Sequence, residues 1–405
     1  MKQIKRAALA EVLSASAEFP ALIVTGARQV GKTTLLKEAA ESGRRFVSLD
    51  ELTIRDLARR DPQAFLSAYP PPVVIDEIQY APQLLPTIKA MIDDQSGGQN
   101  GMFWLSGSQQ FHLMRDISES LAGRVAVLKL GGISQGEELG RSDDGVFSPS
   151  APMPASGRFA GMAELFARIH RGGYPALVSG KVKNLERFFG SYVGTYVERD
   201  VRDLAKVSDE ERFLKFIRAV AARTGQLLNL SDLSRDVGIT VPTAKDWLGI
   251  LKASNLVYLL QPYSRNVTSR IVKTPKLYFT DTGLCCYLLG WDSPKTLMNG
   301  AMAGAMLETF VVGELLKRYW NCGKEPRLYF YRDRVGVEID ILIERNGVLE
   351  PVEVKRNTNP GLSDIKSFKK VAGLGFPMSR GAVVCPTELP LPLTSDVSVI
   401  PAAAI

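Results

Sequence analysis

The segment Gly26-Ala27-Arg28-Gln29-Val30-Gly31-Lys32-Thr33 fits G-x-x-x-x-G-K-[ST]. It stands between an apolar run, Leu22–Thr25, and a stretch of helical character, Thr33–Ala40. Strand, glycine-rich loop and helix N-terminus in that order build a cradle for phosphate. The glycines let backbone N–H groups wrap the anion, and the helix dipole adds positive potential. Gly26 through Thr33, with Thr34 behind them, are therefore the expected nucleotide-binding residues. Lys32 should reach the β- and γ-phosphates, and Thr33 should hold Mg²⁺.

The surrounding pattern agrees with this. Short apolar runs at Leu22–Thr25, Phe46–Leu49, Val73–Asp76, Met102–Ser106 and Val125–Leu130 alternate with helical stretches. Continuous apolar strands between helices predict a parallel sheet covered on both faces. The run Val73-Val74-Ile75 ends in Asp76 and Glu77. Asp76 is expected to hold Mg²⁺ through water, and Glu77 to orient and polarise the attacking water. A solvated strand-end carboxylate is the alternative for Glu77. The strand at Phe103–Leu105 ends in Ser106-Gly107-Ser108-Gln109, where a polar side chain can sense the γ-phosphate.

The length of 405 residues suggests two or three domains. With 45% hydrophobic and 23% charged residues the chain is an ordinary globular one, neither disordered nor fibrous. No uncharged apolar run reaches 18 residues, so no transmembrane helix and no membrane partner are expected. The formal charge of +7 permits a nucleic-acid partner without requiring one. Four cysteines without a CxxC pair, and only two histidines, make a zinc site or a disulfide framework improbable. That usage fits a reducing, cytoplasmic compartment. Lys2, Lys5 and Arg6 ahead of Ala7–Leu13 faintly mimic a signal peptide, but Glu11 breaks the apolar stretch and an amphipathic first helix is the better reading.

Several stretches together resemble a known family. TGARQVGKTTLL (25–36), VVIDEIQYAPQLLPTIKAMID (73–93), LSGSQQFHLMRDISESLAGR (105–124), GGYP (172–175) and a C-terminal EID…VEVK run resemble the bacterial and archaeal AAA+-type ATPases that carry a C-terminal restriction-endonuclease-like domain. The resemblance implies an α/β fold: a P-loop NTPase (AAA+-like) parallel sheet with a helical lid, then a winged helix, then a restriction-endonuclease-like α/β domain. It implies ATP as the nucleotide, and no N-K-x-D motif for guanine is evident. It gives Ser108 a sensor role and makes Arg124 a candidate arginine finger or sensor arginine. A finger acting in trans would require a homo-oligomer. The alternative for Arg124 is a structural salt bridge at a strand start.

The expected organisation is an ATPase domain with lid over 1–206, a winged helix over 207–285 and a nuclease-like domain over 286–405. Residues 141–160, rich in Ser, Pro, Gly and Ala, are expected to be a flexible loop. Gly172-Gly173-Tyr174-Pro175 reads as a turn in the lid, and residues 196–203 as a charge-laced helix face. Ser231–Val237 with a Ser cap, a turn at Gly238–Thr240 and a helix Pro242–Ala253 form a helix-turn-helix pattern. Its second helix offers only Lys245 and Lys252, a poor surface for reading bases. The following ribbon carries Arg265, Arg270, Lys273 and Lys276 with no acid from 261 to 276, and could track phosphates. A solvated basic hairpin is the alternative.

In Val337–Ile343 the residues alternate, putting Asp340 on the face opposite Ile339 and Ile341. After a turn at Asn346-Gly347, Glu353 and Lys355 share one face of Val352-Glu353-Val354-Lys355. If the strands are neighbours, Asp340, Glu353 and Lys355 converge. Two carboxylates could then hold Mg²⁺ while the lysine activates water and stabilises phosphorane charge. This is the D…ExK arrangement of the restriction-endonuclease-like nucleases, many of which place a further acid on the preceding helix, here Glu308. Ile339 stands where a proline often precedes the aspartate.

The reading that follows is an ATP-hydrolysing protein acting on nucleic acid, DNA above all, through a winged helix and a Mg²⁺-dependent nuclease-like domain. The alternative is a nucleotide-controlled DNA- or protein-binding switch with an inactive nuclease fold. A small-molecule kinase leaves the C-terminal half unexplained.

Overall fold

Strand β1 (Ala21–Thr25) leads into the glycine-rich loop, and all five of its residues are buried. In the computed structural model, which describes residues 4–94, 99–107, 117, 120–141, 145–151, 158–196, 210–264 and 274–405, β1 lies inside a five-stranded parallel sheet. Its partners are β2 (Arg45–Ser48), β3 (Val73–Asp76), β4 (Phe103–Gly107) and β5 (Val125–Lys129), in the order β2-β3-β4-β1-β5. Successive side chains point to opposite faces. Leu22, Val24, Val74 and Trp104 pack on one side with the helices Leu9–Glu18 and Lys32–Ala39. Ala21, Ile23, Val73, Ile75, Phe103 and Leu105 pack on the other with Leu52–Arg60, Pro62–Ala68 and Leu84–Asp94. Two covered faces are why these strands read as unbroken apolar runs. The order also puts β4 between the phosphate-loop strand β1 and the acidic strand β3, so Ser106 and Gly107 end up between the loop and Asp76.

The lid helices are Met162–Arg171, Pro175–Val178 and Leu185–Tyr196. Then come the helices Glu210–Ala221, Leu230–Val237 and Val241–Ala253 with a ribbon of β6 (Gln226–Leu227), β7 (Val257–Pro262) and β8 (Lys276–Phe279). Leu233, Val237, Trp247, Leu248 and Leu251 are buried together, with Leu227 and Leu230 packed against them. The cap of the helix Leu230–Val237 is Asn229, not Ser231, because its Oδ1 accepts from the N–H groups of Ser231 and Asp232 at 3.1 Å each.

The C-terminal part holds the helices Thr282–Leu289, Pro294–Asn299 and Ala303–Asn321. The strands β9 (Leu328–Arg332), β10 (Glu338–Arg345) and β11 (Val348–Val354) follow, then the helix Lys366–Gly373, β12 (Gly381–Cys385), β13 (Leu391–Pro392) and β14 (Val397–Pro401). Here the expected boundary at 285/286 is not a break. β7 pairs in parallel with β9, Gln261 opposite Tyr329 and Pro262 opposite Phe330. The ribbon and the C-terminal strands thereby form one nine-stranded sheet, β13-β14-β12-β11-β10-β9-β7-β8-β6. One apolar core runs from β1 through the lid to Ala303–Asn321.

The segment 141–160 also departs from expectation where it is described. Phe147 is buried and its carbonyl accepts from Arg345 Nη2 at 3.1 Å, while Ser148 Oγ–H donates to Glu350 Oε1 at 2.7 Å. Phe159 N–H donates to the Glu388 carbonyl at 2.9 Å. Described parts of this stretch are a strap across the C-terminal strands, because polar groups there find partners that a sequence pattern does not reveal. Residues 197–203 of the predicted charged face, and His112, lie outside the described residues. No helix among the described residues is long and apolar enough to cross a membrane.

Candidate functional site

The phosphate loop is shaped by backbone that few residues adopt. Gly26 has φ 149° and Gly31 φ 97°, and Gln29 is left-handed at φ 59°. A Cβ on Gly26 would collide with the Leu130 carbonyl oxygen. Gly31 is the N-cap of Lys32–Ala39, so the helix begins one residue before the predicted Thr33. Lys32 curls back: its Nζ donates to the carbonyls of Gly26 at 3.1 Å and Ala27 at 2.9 Å. An ammonium held by two loop carbonyls is positioned at the centre of the loop, where an incoming phosphate would compete for it.

Thr33 Oγ1–H faces Asp76, with both carboxylate oxygens at 3.0 Å. Ser106 Oγ–H donates to Asp76 Oδ1, and Glu77 N–H donates to Ser106 Oγ at 3.3 Å. Glu77 itself is left-handed at φ 58°, an uncommon conformation for a side-chain-bearing residue. Its Oε2 accepts from Gln79 Nε2. The structure thus brings Lys32, Thr33, Asp76 and Glu77 to one edge of the sheet, as predicted. The hydroxyl it brings between the loop and the acids is Ser106. Ser108, the predicted sensor, lies outside the described residues.

Arg124 requires a correction. It precedes β5, whose Val125 pairs with Ala21 and Lys129 with Thr25. Arg124 therefore sits at the edge of the sheet opposite the phosphate loop, ~13 Å away along β1. There Nε and Nη2 donate to Asp93 Oδ1 and Oδ2 at 2.6 and 3.0 Å. It cannot sense the γ-phosphate of its own chain, and only a second subunit could present it to a nucleotide. Arg124→Ala is expected to leave nucleotide affinity of the single chain unchanged and to cost less than ~1 kcal/mol of stability, since the pair is partly exposed. Titration with a fluorescent nucleotide and a melting curve check both.

Sequence reading missed Arg6. Its guanidinium is buried and donates to Glu137 Oε1 at 2.9 Å, to the Val30 carbonyl at 2.7 Å and to the Gly131 carbonyl at 2.9 Å. It ties the phosphate loop to Glu137, which closes a capping box with Ser134. Behind the loop, Ile133 N–H donates to the Gly173 carbonyl at 2.6 Å, and Gly173 N–H to Asp281 Oδ2 at 2.8 Å. Burial pushes the Asp281 carboxyl up, against the N–H groups of Gly173 and Leu284 that hold it down. Of GGYP, Gly172, Gly173 and Tyr174 link the two lid helices and dock on Asp281, while Pro175 opens the second of them. Lys317 Nζ donates to the Ile133 carbonyl at 3.1 Å and Glu314 Oε2 accepts from Gln135 N–H at 2.9 Å. Removing Arg6 would leave Glu137 buried without its cation. Arg6→Ala is expected to cost about 3–5 kcal/mol, read as a large fall in Tm.

The C-terminal triad is partly as predicted. Ile341 pairs with Val352 across β10 and β11, and the left-handed Asn346 and Gly347 make the hairpin turn. Val354 N–H donates to Asp340 Oδ2 at 2.9 Å and Lys355 Nζ to Glu353 Oε1 at 2.7 Å. Asp340, Glu353 and Lys355 do converge. Burial first, then the neighbouring Asp340 charge, raises the Glu353 carboxyl, and the same two causes raise Glu308. Burial also raises Asp340.

The expected metal set of Asp340, Glu353 and Glu308 is corrected at Glu308, which does not join the other two. Among the described residues no three of His, Cys, Asp or Glu are disposed to hold a metal ion together. Glu308 Oε1 is taken by Tyr278 O–H at 2.5 Å and Lys276 Nζ at 3.1 Å. Glu314, the other acid on that helix, faces the phosphate-loop side instead. Lys276, predicted for a phosphate-tracking ribbon, is buried among acids. Burial alone would depress its ammonium, but Glu308, Asp340 and Glu338 more than reverse that and raise it. Arg265, Arg270 and Lys273 lie outside the described residues.

Residues 18–139 match the AAA domain family. Residues 162–295 and 303–405 match two domains of unknown function. Uncharacterized proteins of Mycobacterium bovis and Mycobacterium tuberculosis are each 28% identical over 402 residues, spanning 99% of this chain and 84% of theirs. Among solved structures, a Walker-type ATPase of Pyrococcus abyssi aligns at TM-score 0.43 and 16% identity, over 69% of this chain and 94% of its own. A point variant of Thermotoga maritima RuvB aligns at 0.31 and 18%, over 63% and 89%. At those scores neither likeness carries weight beyond the family match. The N-terminal unit thus carries the match to the AAA domain family.

Proposed function

We propose that the chain is an ATP-hydrolysing switch that acts on nucleic acid, its nucleotide state being passed from the N-terminal unit to the C-terminal half. The observation that carries the ATPase reading is Thr33 Oγ1 facing both oxygens of Asp76 at 3.0 Å, next to Lys32 and Glu77. Thr33 and Asp76 are hard oxygen donors suited to magnesium, Asp76 acting through water. Bound with ATP, Mg²⁺ would neutralise charge on the β- and γ-phosphates. Lys32 leaves its carbonyls for phosphate oxygen. Glu77 lies at the strand end where it can orient water and accept its proton, and Ser106 keeps Asp76 and the Glu77 backbone in register.

The transmission route is supported by the segment Leu130–Ile133, which touches the loop at Gly26 and is held by Arg6, Gly173 and Lys317. Lys317 belongs to the helix whose earlier turns carry Glu308. The helices Leu230–Val237 and Val241–Ala253 with their ribbon are read as a winged helix, whose Lys245 and Lys252 are exposed.

The test uses the full chain with Mg²⁺ and ATP, and labelled single-stranded, double-stranded and branched DNA and RNA. Phosphate release is expected, with nucleic-acid affinity differing between ATP and ADP. No phosphate release would end the ATPase reading. Equal binding in both nucleotides would end the switch reading.

For the C-terminal half, the convergence of Asp340, Glu353 and Lys355 favours a restriction-endonuclease-like fold that binds without cutting. Mg²⁺-dependent cleavage by wild type that Asp340→Ala loses while ATP hydrolysis persists would overturn it.

A further inference from the structure

Lys276 opens β8 and is 3% exposed. Its Nζ lies 2.6 Å from Glu338 Oε1, 3.1 Å from Glu308 Oε1 and 3.7 Å from Asp340 Oδ1. The carboxylates come from β10 and from the helix Ala303–Asn321, whereas the ammonium is delivered by the ribbon of the preceding unit. The carboxylates have further partners, Glu308 through the same Oε1. Arg332 Nη1 is 3.4 Å from Glu338 Oε2, Tyr278 O–H donates to Glu308 Oε1 and Val354 N–H to Asp340 Oδ2.

Three carboxylate oxygens lie within 3.7 Å of the Lys276 ammonium, and oxygen donors are what a hard divalent cation takes, although among the described residues no three acids are disposed to hold one together. The ammonium occupies the point they face, and the Arg332 guanidinium lies beside Glu338. Glu353, on the neighbouring strand, has a buried Oε2 with no hydrogen-bond partner. A divalent ion bonded to Asp340 Oδ1 would lie against the ammonium, and two cations in contact within a buried site repel strongly.

We propose that the Lys276 ammonium is the resident cation of the C-terminal acidic site, standing where a divalent ion would otherwise bind Asp340 and excluding that ion from the chain folded as described. The proposal is independent of the ATPase reading, and its readout is metal binding rather than cleavage.

The experiment measures Mn²⁺ binding by the nucleotide-free full chain, by electron paramagnetic resonance and calorimetry. Wild type, Asp340→Asn, Lys276→Met, Lys276→Arg and Lys276→Met/Asp340→Asn are compared. Lys276→Met is expected to bind Mn²⁺ roughly tenfold or more tightly than wild type, to lose that gain in the double variant, and to melt higher when Mn²⁺ is added. Lys276→Arg, which keeps the charge, should behave as wild type. Wild-type binding that Asp340→Asn removes would overturn the proposal, since the ammonium would then exclude nothing. So would a Lys276→Met variant that folds and gains no Asp340-dependent binding, because Lys276 would then be only a structural tether. Should Lys276→Met unfold in buffer alone, Mn²⁺ must restore it; a chain that stays unfolded at saturating Mn²⁺ also overturns the proposal.

Discussion

Lys32→Ala is expected to weaken ATP binding roughly 10²-fold and to bring hydrolysis below detection. The ammonium sits at the centre of the loop, 3.1 and 2.9 Å from the Gly26 and Ala27 carbonyls. A charge-assisted contact to phosphate contributes about 1.5–3 kcal/mol, and the upper end of that range is the stated loss. The same charge is needed again as negative charge moves to the leaving oxygens. The variant should melt near the wild-type temperature without nucleotide, because the Lys32 ammonium is held by the Gly26 and Ala27 carbonyls of its own loop. Calorimetric ATP titration and a phosphate-release assay check both halves. Turnover at the wild-type rate would refute the assignment of the loop.

Glu77→Gln should separate binding from chemistry. Hydrolysis is expected to fall by about 10²-fold or more, the usual contribution of a positioned base, while ATP affinity stays within a few-fold. Glu77 follows Asp76 at the end of β3, its left-handed backbone tied by its N–H to Ser106 Oγ. The amide keeps the shape of the side chain and loses only the ability to take a proton. A variant that traps ATP would also serve to lock the switch for nucleic-acid binding. If affinity falls as far as turnover does, Glu77 holds the nucleotide rather than the water.

The nucleotide half was legible because its signals are local. A glycine loop between strand and helix is contiguous, and its left-handed positions at Gly31 and Gln29 follow from loop shape. The apolar runs β1 and β3 were readable because both faces of the sheet are buried. Small slips came from caps. The first turn of Lys32–Ala39 begins at the lysine, and Asn229 outcompetes Ser231 because its longer side chain reaches two N–H groups. Arg6 carries no pattern, since its partners Val30, Gly131 and Glu137 are 24 to 131 residues on.

The C-terminal site was half legible. Alternation put Asp340, Glu353 and Lys355 on the right faces, and the Asn346-Gly347 turn set the register that joins them. The stretch 261–276 without acids suggested a solvated ribbon, yet charge along the chain says nothing of charge across a sheet. The parallel pairing of β7 with β9 carries Lys276 to Glu308, 32 residues away in sequence, and to Glu338 and Asp340 on β10.

What the sequence determined by itself is therefore whatever is set by backbone geometry within a few residues: the phosphate loop, the acidic strand end, the hairpin with its alternating carboxylates. Only the tertiary structure decided which charges meet. It put Arg124 against Asp93 at the far edge of the sheet, Arg6 behind the loop and Lys276 among the acids. The physical reason is that a buried charge is tolerated only beside its partner, and that partner is chosen by strand order and helix packing rather than by neighbours in the chain.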